Sequence, residues 1–197
     1  MTLLTQAIAF AAQAHEGATR KGSAIPYIVH PMEAMAIAAS VTDDQEVLAA
    51  AVLHDVIEDC GVTAGELRER FGTRVAELVA YDSQTKRDDP CASWNARKRE
   101  AVGRIACGCR EAKIITLADK LSNMRAIRHD YERDGEAMFY RFHQHDKRRH
   151  AWYYHSCVAL LEDELGETDA WRELEALVYE VFGEPEIAHE EERECAV

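Results

Sequence analysis

The chain has 197 residues, 47% of them hydrophobic, enough for one domain with its own core and too few for two full domains. A formal net charge of −13 argues against a general nucleic-acid binder. Apolar runs such as residues 2–15 are broken by Thr, Gln and His well short of the ~20 residues that would span a bilayer, and Met1-Thr2-Leu3-Leu4-Thr5-Gln6 has no basic segment ahead of an apolar one, so the expectation is a cytoplasmic protein with no membrane segment and no secretory signal.

The dominant period is helical, and strand signals are poor. Apolar positions three or four apart predict helices near 3–15, 31–40, 44–59, 64–71, 73–81, 93–106, 110–129, 134–147, 150–165 and 169–182, an all-α bundle of about ten helices. Pro31 suits a first helical position, Thr63 with Glu66 reads as a capping box, and Ser93 stands as an N-cap before Trp94. Gly61, Gly72, Gly166 and Gly183 are expected stops. Residues 16–29 and 82–92 read as long polar loops, the kind that carry function.

Charge is distributed unevenly along these elements. Residues 1–161 hold 21 basic and 22 acidic groups, net −1, a body compatible with an anionic small-molecule substrate. Residues 162–197 hold 2 and 14, net −12. Leu160, Leu161, Leu165, Trp171, Leu174, Leu177, Val178, Val181 and Phe182 nevertheless form an apolar stripe at helical spacing, which predicts that the acidic segment packs on the body or on a partner subunit as far as Phe182. The domain is therefore expected to span 1–183, with 184–197 an acidic, frayed tail.

Three His-Asp dipeptides occur, at His54-Asp55, His129-Asp130 and His145-Asp146, and only the first follows a strongly apolar helical run, Ala49-Ala50-Ala51-Val52-Leu53. On one helix His54 and Glu58 are i,i+4 neighbours, as are Asp55 and Asp59, so four ionisable groups would share one sector. Three clustered carboxylates need a compensating cation or substrate; otherwise the segment is an acidic helix end facing solvent. His54 nitrogen and Asp55 oxygen suit Mn²⁺, Fe²⁺ or Zn²⁺. His30, beside Pro31, and Asp119, a lone carboxylate in an apolar helical stretch, are each also readable as hydrogen-bonded structural groups. Together with His54 and Asp55 they would make a His/His/Asp/Asp set with open positions.

Three segments carry a resemblance. Arg20-Lys21-Gly22-Ser23-Ala24-Ile25-Pro26-Tyr27-Ile28-Val29-His30-Pro31, then Leu53-His54-Asp55-Val56-Ile57-Glu58-Asp59, then Leu117-Ala118-Asp119-Lys120-Leu121-Ser122-Asn123-Met124-Arg125 resemble, in order and separation, the HD-type hydrolase domain of RelA/SpoT homologues. Phe71-Gly72-Thr73-Arg74-Val75 and Trp94-Asn95-Ala96-Arg97-Lys98 match between them, and the resemblance covers about residues 8–161. It leaves no room for the family's synthetase domain, so the chain resembles a stand-alone small alarmone hydrolase of the stringent response. The resemblance implies manganese held by His30, His54, Asp55 and Asp119, with other divalent metals as substitutes. It implies Glu58 and Asp59 as the catalytic pair, Arg20, Lys21 and Ser23 as the loop that grips the nucleotide, and Asn123 as a further substrate contact. The implied reaction takes the 3′-diphosphate from ppGpp or pppGpp, giving GDP or GTP and pyrophosphate. Thr116 stands where family members commonly carry a lysine, a departure that bears on substrate identity or rate.

Two alternatives remain open on the sequence: another metal-dependent nucleotide phosphohydrolase, such as an NADPH 2′-phosphatase, and a non-catalytic nucleotide-binding module. Oligomeric state is undetermined. Cys60, Cys91, Cys107, Cys109, Cys157 and Cys195 form no regular framework and read as free thiols in a reducing compartment. Arg97-Lys98-Arg99 and Lys147-Arg148-Arg149 read as solvated helix faces. His143, His145, His150 and His155 lack the acidic partners of a metal site. Trp152, Tyr153 and Tyr154 read as core and pocket wall, with one tyrosine able to stack on a purine.

Overall fold

The computed structural model describes residues 1–83 and 90–185. Its elements in chain order are α1 (Leu3–Ala14), α2 (Val29–Ala39), α3 (Gln45–Leu53), α4 (Val56–Cys60), α5 (Ala64–Phe71), α6 (Thr73–Asp82), α7 (Pro90–Cys107), α8 (Arg110–Asp134), a 3-10 segment (Gly135–Arg141), α9 (Lys147–Leu165) and α10 (Asp169–Phe182). Among the described residues the extended backbone amounts to one isolated bridge between Thr19 and Pro26, so the expected all-α bundle is the observed one.

Helix α8 is the axis. Residues 112–122 of α8 are buried without interruption, including Lys113, Thr116, Asp119, Lys120 and Ser122. A helix apolar and buried on nearly every side must be covered all round. Helices α2, α3, α6, α7, α9 and α10 and the 3-10 segment all pack on α8. Helix α3 is buried from Val47 through Leu53, which fits its Ala-rich sequence: small side chains let α1 and α2 approach closely. The acidic helix α10 turns Ala170, Trp171, Leu174, Val178 and Val181 inward against α8 and α9. Each such aliphatic or aromatic side chain contributes about 1.5–3 kcal/mol on burial, so the expected stripe belongs to the core despite the charge beside it. Thr168 caps α10, and the indole of Trp171 donates to the carbonyl of Val158 on α9 at 3.0 Å.

Local chemistry explains most boundaries. Thr63 and Glu66 form the expected capping box. Gly61 ends α4 at φ +70°, a left-handed conformation that costs glycine little. Other boundaries correct the sequence reading. Helix α7 starts at Pro90, which puts Ser93 inside it and not at its N-cap. Helix α2 starts at Val29, so His30 and Pro31 both lie in its first turn, where proline's missing N–H would have had no intrahelical partner anyway. The expected helix 134–147 does not form: α8 runs on to Asp134, the 3-10 turns follow, and Asp146 caps α9 through the amide of Arg148. Most of the expected loop 82–92 and most of the expected tail 184–197 lie outside the described residues.

The predicted helix 44–59 is two helices, broken at His54-Asp55. The imidazole of His54 bonds the backbone at that break. Its Nδ1 donates to the carbonyl of Ala51 at 2.8 Å, a carbonyl that an unbroken helix would offer to the amide of Asp55. The two residues at the break keep right-handed helical backbone and the amide of Asp59 donates to the carbonyl of Asp55 at 2.8 Å, so Asp55 and Asp59 stay one turn apart, with both carboxylates near Tyr27.

Candidate metal and phosphoester site

Three elements deliver four donor groups to one buried point. The first turn of α2 carries His30, the α3–α4 break carries His54 and Asp55, and the middle of α8 carries Asp119. The two Nε2 atoms lie 3.2 Å apart. Asp55 Oδ2 is 3.5 Å from His30 Nε2 and 3.1 Å from His54 Nε2. Asp119 Oδ1 is 3.2 Å and 3.7 Å from the same two nitrogens. His30, His54 and Asp119 are buried at 3%, 1% and 6% exposure.

Hydrogen bonds fix where the ring protons sit. A carbonyl only accepts, so His54 Nδ1, bonded to Ala51 O, carries a proton, and the neutral ring offers its lone pair at Nε2. His30 Nδ1 lies 2.8 Å from Ser122 Oγ, whose own hydrogen goes to Glu33 Oε2 at 2.7 Å, so His30 likewise presents a bare Nε2. Two imidazole lone pairs and two carboxylate oxygens converging out of water repel one another unless a positive charge sits among them. That donor chemistry fits a divalent cation with mixed nitrogen and oxygen ligands.

Electrostatics point the same way. Burial opposes a charged ring at His54, but Asp55 and Asp119 overcome it and lift its pKa well above the usual imidazole range. Burial likewise opposes ionisation of both acids, yet His54 beside Asp55, and Lys120 beside Asp119, hold them well below the usual carboxylate range. A proton and a metal ion therefore compete for the same place.

The other expected site residues surround this cluster unevenly. Glu58 is half-buried and Asp59 exposed, both on the short helix α4 that follows the break. Arg20 lies over the ring of Tyr27 and donates to Asn123 Oδ1 at 2.7 Å, and Asn123 Nδ2 donates to Asp119 Oδ1 at 2.5 Å, so the loop after α1 is tied directly to the cluster. Lys21 is exposed and leans toward the ring of Phe142 instead. The Ser23 hydroxyl accepts from the amide of Ile25 and donates to the carbonyl of Arg20, which shapes the turn. Gly22 holds φ +75°, and a Cβ there would lie 2.7 Å from Arg141 Cδ, so the turn needs glycine twice over.

Several residues at the site were not read as such from sequence. Tyr27 donates to Asp55 Oδ2 at 2.7 Å and steadies that carboxylate; burial first, then Asp55 and Asp59, push its own pKa far up. Lys98 is not on a solvated face. It is half-buried with its Nζ 4.3 Å from the ring centroid of Tyr153, and burial together with neighbouring Lys120 pushes its pKa down to about 8. Lys120 is buried, ion-pairs with Asp119 and lies 5.7 Å from the same ring. The sequence does hold a signal for Lys98: with Trp94, Ala101 and Ile105, all buried, it falls on one stripe spaced four, three and four. Thr116 lines a void of only about 10 Å³ between Arg104, Lys120 and Tyr153.

Tyr153 and Tyr154 are buried as expected, whereas Trp152 stands 44% exposed. His150 is a core histidine among Trp94, Phe139 and Phe142; burial lowers its pKa and its Nε2 bonds the carbonyl of Gln144. No helix among the described residues is long and apolar enough to cross a membrane.

The arrangement is an all-α bundle with a His, a His-Asp pair and a distant Asp around one point, a donor set able to hold a divalent cation. A family profile described as an HD domain matches residues 7–144, and the chain belongs to that family. It is 42% identical over 129 residues to the guanosine-3′,5′-bis(diphosphate) 3′-pyrophosphohydrolase of Vibrio cholerae, 63% of this chain and 18% of that one. It is 38% identical over 126 residues to the bifunctional (p)ppGpp synthase/hydrolase SpoT of Escherichia coli, again 63% and 18%. The chain thus spans less than a fifth of the length of these relatives. Among solved structures, a metazoan ortholog of SpoT that hydrolyses ppGpp superposes with a TM-score of 0.68 at 27% identity, covering 92% of this chain and 94% of that one. A protein of Listeria monocytogenes gives 0.69 at 26% identity, with 79% and 99% covered.

Proposed function

We propose that the protein is a Mn²⁺-dependent (p)ppGpp 3′-pyrophosphohydrolase working in the cytoplasm, with residues 1–183 as one hydrolase domain. The observation that carries the reading is the pair of histidine Nε2 atoms 3.2 Å apart, flanked by Asp55 and Asp119 oxygens. The likeness to hydrolases of guanosine 3′-diphosphates supports the substrate class.

His30, His54, Asp55 and Asp119 would hold the ion, which when bound supplies Lewis acidity toward a phosphate oxygen and a lowered pKa for water. Glu58 and Asp59, on the turn of helix directly after Asp55, take the proton of the attacking water and deliver one to the departing ribose oxygen. Water oxygen bonds to the phosphorus next to the 3′ oxygen, the P–O3′ bond breaks, and pyrophosphate leaves with its charge met by cations. Arg20 approaches from the loop and Lys21, which leans toward Phe142, would swing round to join it, while Lys98 and Lys120 approach from α7 and α8. Ser23 keeps the loop in shape, and Asn123 links Arg20 to Asp119. Lys98 and Lys120 supply positive charge on the side of the site where Thr116 supplies none.

Purified protein with Mn²⁺ is expected to release pyrophosphate from ppGpp, to stop after chelation and to resume when Mn²⁺ returns. Full activity in protein stripped of metal, verified by elemental analysis, would overturn the metal reading. Release of phosphate from NADPH with no pyrophosphate from ppGpp would overturn the substrate.

A further inference from the structure

From the cluster a chain of hydrogen bonds runs from His30 to the acidic helix α10. His30 Nδ1 donates to Ser122 Oγ at 2.8 Å, and Ser122 donates to Glu33 Oε2 at 2.7 Å. Glu33 Oε1 accepts from Arg125 Nη1 at 2.9 Å. Arg125 then closes a two-pronged pair with Glu173 of α10, Nε to Oε1 at 2.6 Å and Nη2 to Oε2 at 2.7 Å. Burial grades along the chain: Ser122 and His30 are almost wholly enclosed, whereas Glu33, Arg125 and Glu173 are partly open to a groove of about 330 Å³ between α2, α8 and α10.

A serine hydroxyl is ambivalent, able to donate to His30 Nδ1 or accept from it. The two outcomes put the ring proton on opposite nitrogens. Donation by Ser122 would move the proton to Nε2 and cap the lone pair that faces His54. A carboxylate accepts only, so Glu33 takes the serine hydrogen and leaves Ser122 to accept. Arg125 and Glu173 in turn keep Glu33 aimed at Ser122, since Arg125 offers donors alone and holds both acids at once.

We infer that Ser122 and Glu33 are positioning residues that set the tautomer of His30 and so the metal affinity of the site, and that Arg125 and Glu173 hold them in place, coupling the acidic C-terminal helix to the metal centre. The inference rests on the proposed metal site. It gives α10 a role beyond covering the core.

The test reads the affinity of Mn²⁺ alone, by calorimetric titration at fixed neutral pH, alongside kcat, KM and melting temperature. Ser122→Ala is expected to weaken Mn²⁺ binding about 10–100-fold, the range seen when a ligand histidine loses its outer partner, with KM for ppGpp at saturating metal little changed. Ser122→Thr, which keeps the hydroxyl, restores most of the loss. Glu33→Ala, at a partly open position that tolerates truncation, is expected to weaken binding about tenfold, and Glu33→Ala in the Ser122→Ala background adds nothing further because one acts through the other. Glu173→Ala gives about a two- to threefold loss, in keeping with a half-exposed pair. Arg128→Met removes the neighbouring α8–α10 pair with Glu180 and serves as the control: it lowers melting temperature like Glu173→Ala yet leaves Mn²⁺ affinity unchanged. Unchanged affinity in Glu33→Ala, or additive losses in the double variant, would overturn the relay alone. Parent protein that binds no ion would overturn the metal reading and the relay together.

Discussion

The site has two halves of opposite sign, and they meet at one peptide bond on α8. On one side, His30, His54, Asp55 and Asp119 gather lone pairs and negative charge. On the other, Lys120, the very next residue, points with Lys98 toward the face of Tyr153. The first half is incomplete without a cation. In the second, Lys120 pairs with Asp119, while burial first and Lys120 next press the pKa of Lys98 down to about 8. On the proposed function, a metal ion would answer the first half and the diphosphate of the substrate the second. On that reading the substrate's charge completes the electrostatics of the site, and substitutions should separate the halves.

The largest effect is expected from Asp119→Ala, which removes the anion shared by both halves. Metal content should fall to background and pyrophosphate release by at least about a thousandfold, because ion and acid–base chemistry are lost together. Retained stoichiometric metal would show that the first half closes with three donors. Glu58→Gln leaves both halves intact and removes only proton transfer, so kcat should fall by about 10²–10⁴ with metal content unchanged and KM within a few-fold. A kcat close to that of the parent would move the acid–base role to Asp59.

Lys98→Met breaks the second half alone. Metal binding should persist while KM for ppGpp rises about tenfold, the loss of one partly buried charge-assisted contact. The pH dependence sharpens this test. A lysine whose pKa is lowered to about 8 is charged below that value and neutral above it. Parent kcat/KM should therefore decline as pH rises through about 8, and in Lys98→Met that limb should vanish; a limb that survives belongs to another group. The smallest effect is expected from Gly22→Ala. Adding a Cβ at φ +75° against Arg141 displaces the loop that carries Arg20, raising KM a few-fold and costing about 1 kcal/mol of stability, read from the melting temperature.

Much of the first half was legible along the chain, because each of its ligands sits in a short segment whose neighbours make it conspicuous: His30 before Pro31, His54-Asp55 after an alanine-rich run, Asp119 alone among apolar residues. The second half was hidden. Lys98 reads as one of three consecutive basic residues, and only its stripe with Trp94, Ala101 and Ile105 separates it from a solvated face. Tyr27 was hidden for another reason, since a tyrosine between Pro26 and Ile28 looks like ordinary apolar packing until Asp55 is seen 2.7 Å from its hydroxyl.

Local sequence by itself determined most of the helices, the cap at Thr63, the inward stripe of α10 and the kinds of side chain at the site. Those depend on periodicity and on side chains bonding backbone a few residues away, interactions the chain makes with itself at short range. Only the tertiary structure decided the meeting of His30 with Asp119 across 89 residues, the pairing of Lys98 with Lys120, and the line from His30 through Ser122, Glu33 and Arg125 to Glu173. Such contacts join segments whose separation in sequence carries no period. Their protonation follows from burial and from the neighbours that burial imposes, and both exist only once α8 is enclosed.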